Sequence, residues 1–188
     1  MSASGTDSKM VIDNAGQNLA WSPDGSQLAF LKGRLVKTGN TGIFKTSVAV
    51  IRADSTAERT IVDDPKYLDM TPAWSPDGRW IAFSRINLVT NERSLWLVNP
   101  NGNGLHLILK QQSRPGKLLG DPAWSPDGKR IAYTGGTDQH EDIFLTNPDG
   151  TSVTQLTTNA APDPDPTWSP DGRYIAFSSS AISTRRST

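Results

Sequence analysis

The pentapeptide Trp-Ser-Pro-Asp-Gly stands four times in 188 residues, at 21–25, 74–78, 124–128 and 168–172. The tryptophans are separated by 53, 50 and 44 residues (21 to 74, 74 to 124, 124 to 168). Each pentapeptide is followed, two residues later, by an aliphatic, an alanine and an aromatic: Leu28-Ala29-Phe30, Ile81-Ala82-Phe83, Ile131-Ala132-Tyr133 and Ile175-Ala176-Phe177. An internal repeat of this period restricts the chain to solenoids, propellers and arrays.

The local chemistry narrows that choice. Proline presets φ for the second position of a turn, aspartate suits the third, and glycine accepts the positive φ that follows. The triplet after the turn has strand composition, and tryptophan stands on the opposing strand, so each unit opens as a hairpin with apolar groups on both arms. The small alanine between the two large residues suits a face against which a second sheet packs closely. Further strand pairs follow. Residues 94–98 (Ser-Leu-Trp-Leu-Val) lead through Asn-Pro-Asn-Gly at 99–102 to Leu105–Leu109, and residues 142–146 lead through Asn-Pro-Asp-Gly at 147–150 to 152–157. The first unit carries Ser-Val-Ala-Val-Ile at 47–51 and Thr-Ile-Val at 60–62, but its turn at 53–55 lacks Pro and Gly. Four short antiparallel strands per repeat predict an all-β protein, a β-propeller of four-stranded antiparallel blades. Three blades are complete and the fourth is partial. They occupy residues 10–180, starting near 18, 71, 121 and 165, between a polar lead at 1–9 and a tail at 181–188.

The fourth blade leaves two closures open. Either residues 10–12 (Met-Val-Ile) and 181–184 finish it, making a four-blade ring, or association of chains completes a larger ring. An arc with apolar end faces in water exposes too large a patch to be stable. The expectation is a homo-oligomer.

Composition removes several functions. Nineteen basic and nineteen acidic residues give a formal net charge of zero, which argues against a nucleic-acid partner or an anionic membrane surface. There is no cysteine, hence no disulfide, thiolate metal site or cysteine nucleophile. No apolar run has the length of a membrane span, so no membrane insertion is expected. The first twenty residues contain no apolar stretch of the kind a secretory signal needs. Only His106 and His140 are available as histidines, without the spacing of a zinc hydrolase, and there is no Gly-x-Ser-x-Gly. No catalytic residue and no cofactor are assigned.

The repeat resembles the WD40-like repeat of TolB-type propellers, on Trp-Ser-Pro-Asp-Gly followed by Ile-Ala-Phe and on Gln155-Leu156-Thr157 closing the third unit. Similar blades occur in the propeller domains of dipeptidyl and prolyl peptidases and of the tricorn protease. The resemblance implies a propeller without any one activity, and suggests a periplasmic or secreted location. Propeller lyases that resemble this family use histidines clustered around a metal, which two histidines do not readily supply.

Alternating strands put the Ser-Pro-Asp-Gly and Asn-Pro turns on one face of a disc. The longer connections, at 32–46, 85–93, 110–120, 135–141 and 159–166, fall on the other, where binding groups usually lie. Three positions before each tryptophan stand Asn18, Thr71, Asp121 and Asp165. In a radial arrangement they rim the channel on the long-loop face, as candidates to bind a cation or a cationic peptide end; in the plainer alternative they cap loop amides or hold channel water. Asp24, Asp77, Asp127 and Asp171 are read as turn residues, the four repeated tryptophans as wedges between blades, and the basic stretch 32–45 as a solvated loop. The functional expectation is a non-catalytic module that holds a protein, peptide or small ligand. The alternative is the propeller portion of an enzyme, a substrate-gating domain of a peptidase or an incomplete lyase.

Overall fold

The computed structural model describes residues 18–38, 41–110, 117–137, 140–158 and 161–179. It contains three four-stranded antiparallel sheets and a two-stranded one. Blade 1 is β1 (Ala20–Trp21), β2 (Gln27–Thr38), β3 (Thr41–Arg52) and β4 (Arg59–Thr60). Blade 2 is β5 (Tyr67–Trp74), β6 (Ile81–Asn87), β7 (Arg93–Val98) and β8 (His106–Lys110). Blade 3 is β9 (Lys117–Trp124), β10 (Ile131–Thr137), β11 (His140–Thr146) and β12 (Thr154–Gln155). Blade 4 shows β13 (Thr167–Trp168) and β14 (Ile175–Ala176). The first strands meet in succession, β1 with β5, β5 with β9 and β9 with β13, so the sheets fan from a common axis as propeller blades do. Residues 10–12 and 181–184, the expected closing strands, lie outside the described residues.

The pentapeptide turn is built identically four times. Serine donates its hydroxyl to the aspartate (Ser22 to Asp24 2.6 Å, Ser75 to Asp77 2.6 Å, Ser125 to Asp127 2.7 Å, Ser169 to Asp171 2.6 Å). The same serine Oγ accepts the backbone N–H five residues on, from Gln27, Trp80, Arg130 and Tyr174, each at 2.9 Å. Glycine closes the turn at φ of 68, 71, 70 and 70°, where a side chain would be strained. The serine hydroxyl holds Asp24 and Asp77 down at about 2, which supports the turn reading of these carboxylates. Ser75 is buried. Ser75→Ala removes both bonds and is expected to cost about 1–2 kcal/mol, read as a lower urea midpoint with an unchanged slope.

Packing follows the two-residue alternation of each strand. Ala29, Leu31, Val48 and Val50 of blade 1 face Ile81, Phe83 and Val98 of blade 2, with Trp74 and Trp96 packed against them. Leu95, Leu97 and Ile108 of blade 2 face Leu119, Ile131 and Tyr133 of blade 3, with Trp80 and Trp124 at the margin. Two indoles also bridge blades, as expected of wedges: Trp124 Nε1 donates to the Ala73 carbonyl at 3.2 Å and Trp168 Nε1 to the Ala123 carbonyl at 3.1 Å. Trp21 differs. It is 56% exposed, because among the described residues no sheet precedes blade 1 to receive it.

Residues 32–38 and 41–46 are strand and not loop. β2 and β3 pair residue for residue from Gln27↔Arg52 to Thr38↔Thr41, which makes a twelve-residue ribbon where β6, β7, β10 and β11 have six or seven. Side chains alternate between its two faces, Lys32 and Arg34 with Lys45 on one and Leu35 with Phe44 on the other. The charges are not simply solvated either. Lys45 is buried and reaches Asp63 at 3.0 Å, and Arg34 reaches the same carboxylate at 2.9 Å. Burial pushes the Asp63 carboxyl up, but Lys45, Ser47 and Arg34 pull harder and hold it below the ordinary value.

Candidate functional site

The four residues three positions before each tryptophan share one backbone conformation. Asn18, Thr71, Asp121 and Asp165 have φ of 70, 44, 48 and 57°. Asparagine and aspartate visit this region at modest cost, whereas a β-branched threonine there is an outlier. β5 and β9 begin at Tyr67 and Lys117 and run on to their tryptophans, so Thr71 and Asp121 lie within the first strand and not at its start. The pairing register shifts between Met70 and Ala73, and opposite Ala132 and Thr134, around these two positions. Each is therefore a bulge, which bends the strand and re-aims one side chain.

The side chains are not equivalent. Thr71 Oγ1 lies 2.9 Å from Ser84 Oγ of its own blade, so its hydroxyl is already engaged. Asn18 and Asp165 are exposed and Asp121 is half-buried. Burial pushes the Asp121 carboxyl up and the Asp165 charge adds to it, while the nearby Thr134 hydroxyl and the Arg93 charge oppose. The Asp165 charge thus acts on Asp121 across the boundary between blades 3 and 4. Among the described residues, no three His, Cys, Asp or Glu side chains are grouped so as to hold a metal ion. His106 rests edge-on against Trp80 at 5.1 Å between ring centres, and Asp142, beside the expected His140 loop, is held by Gln155 at 2.9 Å and Thr157 at 3.2 Å.

One constellation escapes sequence reading. Asp69 and Arg85 form a buried pair, Arg85 Nε to Asp69 Oδ1 2.8 Å, with both side chains within 2% of full burial. The guanidinium lies over the Tyr67 ring at 4.4 Å, with Trp96 and Phe83 at 5.3 and 5.4 Å. Thr46 of blade 1 donates its hydroxyl to the Asp69 carbonyl, so the pair sits where blade 1 meets blade 2. Burial pushes the Asp69 carboxyl up to about 6, against the pull of Arg85, the Val48 N–H and Lys45. The signal available in sequence was a charged residue two positions before the rim threonine, and the same spacing separates Asp163 from Asp165; Asp163 is buried too.

A family model for the TolB beta propeller domain matches residues 70–184, more than half of the chain. The chain belongs to the TolB beta propeller family. Among solved structures, similar chains include a putative TolB from Agrobacterium tumefaciens (22% identical, TM-score 0.66, 89% of this chain and 61% of that one). A puromycin-hydrolyzing peptidase from Mycobacterium tuberculosis (14%, 0.66, 87% and 28%) and an oligogalacturonate lyase in complex with manganese (15%, 0.63, 86% and 46%) are also similar. No curated protein sequence matches the chain. At these identities the likeness is one of fold, and the chain spans under two thirds of the Agrobacterium TolB. The TolB-type propeller thus occurs both in TolB proteins and in hydrolases and lyases.

Proposed function

We propose that this TolB-family propeller is a non-catalytic binding module whose ligand is a protein segment or peptide, received at the channel rim on the long-loop face. The observation that carries the reading is the conformation common to Asn18, Thr71, Asp121 and Asp165. Strained backbone repeated at matching positions of a scaffold marks a constrained site. Asp121 and Asp165 supply the negative charge; burial and the Asp165 charge both raise the Asp121 carboxyl, and a cationic group placed between the two would offset the repulsion. A basic side chain or a free amino terminus has that chemistry. The competing reading, the propeller portion of an enzyme, draws on the fold shared with the lyase and the peptidase.

Selection from a displayed library of free-amino-terminal peptides tests it. Peptides with a cationic end are expected to be enriched on the chain and to bind Asp121→Asn/Asp165→Asn at least tenfold more weakly, with affinity falling as pH is lowered towards the Asp121 titration. Enrichment without charge preference, or equal binding to the double variant, overturns the rim assignment. Turnover of a peptide or glycoside substrate by the purified chain supports the enzyme reading instead.

A further inference from the structure

The sequence holds seven dipeptides in which asparagine or aspartate precedes glycine, at 24–25, 77–78, 101–102, 103–104, 127–128, 149–150 and 171–172. Such a pair carries its own chemistry. The glycine nitrogen is placed to attack the side-chain carbonyl carbon of the residue before it, with no Cβ in the way and both groups already on one chain. Whether it does so depends on how firmly the two groups are held.

In six of the seven both are held. The side-chain oxygen of Asp24, Asp77, Asn101, Asp127, Asp149 and Asp171 accepts the main-chain N–H two residues on, at 2.9–3.1 Å. The nitrogen of the following glycine donates to the carbonyl three residues back, Gly102 to Asn99 at 2.8 Å and the other five at 2.9 Å. Asn103-Gly104 is the exception. Among the described residues neither the Asn103 carboxamide nor the Gly104 N–H has a hydrogen-bond partner; only the Asn103 main chain is tied, its carbonyl to Asn99 N–H and its N–H to Asn101 Oδ1, both at 2.9 Å. Both residues are exposed.

The same place is filled differently in two other blades. Blades 1 and 3 leave the second hairpin turn through Thr56-Ala57 and Thr151-Ser152. The closing bond is the same, Arg52 N–H to the Thr56 carbonyl at 3.0 Å and Asn147 N–H to the Thr151 carbonyl at 2.9 Å. So is the left-handed backbone, with φ of 54° at Ala57, 57° at Ser152 and 67° at Gly104. The threonine hydroxyls there are bonded to Asp54 and Asp149. Position 104 therefore does not require glycine for its φ alone. A Cβ at 104 would lie 2.8 Å from Asn99 Oδ1 and 3.2 Å from the Trp80 ring, so packing against the indole keeps the residue small and its nitrogen unshielded.

We propose that Asn103 is a site of spontaneous covalent modification, deamidation through a cyclic imide, singled out from the seven by the fold. Gly104 N loses its proton and bonds to Asn103 Cγ, the Cγ–Nδ2 bond breaks, and the side-chain nitrogen leaves with that proton as ammonia. Water then opens the imide ring. Addition at Cγ leaves aspartate at this position; addition at the main-chain carbonyl carbon leaves isoaspartate, whose main chain is one methylene longer. Either product adds one negative charge to a chain of formal net charge zero, on the face that carries the turns. Isoaspartate also displaces Gly104, whose carbonyl holds His106 Nδ1 at 2.7 Å, from its seat on Trp80.

The experiment incubates the full chain in mildly alkaline buffer and digests it briefly with trypsin. The fragment 94–110, which contains both Asn-Gly pairs, is then sequenced by mass spectrometry. Acid at position 103 is expected to accumulate about tenfold or more faster than at 101, which is what the two hydrogen bonds holding Asn101-Gly102 are worth. The two rates are expected to converge in urea, where the turn bonds are gone. Asn103→Gln, whose longer side chain forms the larger imide ring far more slowly, is expected to lose the leading acidic species on isoelectric focusing. Equal rates in the folded chain, faster reaction at Asn101, a bias towards 103 that survives in urea, or an acidic species unchanged in Asn103→Gln each overturn the proposal. Peptide binding at the rim is a separate readout, so the functional reading stands or falls on its own.

Discussion

Asp69→Ala is expected to destabilise the fold by about 3–5 kcal/mol, the range for breaking a buried ion pair. Its carboxylate faces Arg85 at 2.8 Å with both side chains out of water, and the guanidinium already has one buried nitrogen, Nη2, without a hydrogen-bond partner. Removing the carboxylate leaves that charge facing the Tyr67, Phe83 and Trp96 rings, which offset a fraction of the loss. Replacing both partners by apolar residues of similar volume, Asp69→Leu with Arg85→Met, is expected to be near neutral or stabilising. Urea denaturation of the single and double variants separates a pair retained for stability from one that merely satisfies itself.

The same pair sets a pH dependence. Asp69 titrates at about 6 in the folded chain against an ordinary 3.8, so between these values the folded state holds more protons than the unfolded one. Stability therefore falls as pH rises from about 4 to about 6, by roughly 3 kcal/mol if the whole shift is expressed, and is flat above about 7. The turn aspartates act in the opposite sense. Asp77, held down at about 2, contributes stability above its ordinary value that is lost as pH falls from about 4 to 2. The melting temperature should thus peak at about pH 4–5, and the decline towards pH 7 should shrink in Asp69→Leu/Arg85→Met to the part that the raised Asp121 carboxyl contributes. A wild-type profile rising steadily from pH 4 to 7 contradicts this account.

The second large effect is at an indole. Trp124→Ala is expected to cost about 3–5 kcal/mol, because that ring packs against the cluster between blades 2 and 3 and donates to Ala73. Trp21→Ala, in the same pentapeptide, is expected to cost under about 1 kcal/mol, since its ring is largely in water. The contrast matters more than either value: four identical residues are predicted to differ by their neighbours alone. Equal losses would show that the tryptophans act within their own hairpins.

Much of this architecture was legible because it is written in turns and alternation. The serine, aspartate and glycine of each pentapeptide have local partners within five residues, so their geometry follows from spacing. What escaped depends on partners distant in the chain. The run of lysines and arginines through 32–45 reads as a solvated loop, and the cross-strand pairs Leu35↔Phe44 and Val36↔Ile43 of the ribbon emerge only when the two arms are set in register. Asp69 and Arg85 are 16 residues apart and meet only when β6 folds back against β5. The candidate rim was placed by counting from the tryptophans, but its left-handed backbone was not foreseen, since the three rim residues other than Asn18 precede proline, a position usually read as extended.

The most direct measurement of the central claim, that neighbouring blades are joined through their repeated indoles, is the proton spectrum of the indole N–H groups. The Nε1 protons of Trp124 and Trp168 should exchange slowly and show through-space contacts to Ala73 and Ala123, and that of Trp21 should exchange at the rate of an exposed ring. Uniform fast exchange, or contacts confined to each ring's own hairpin, would contradict the propeller arrangement.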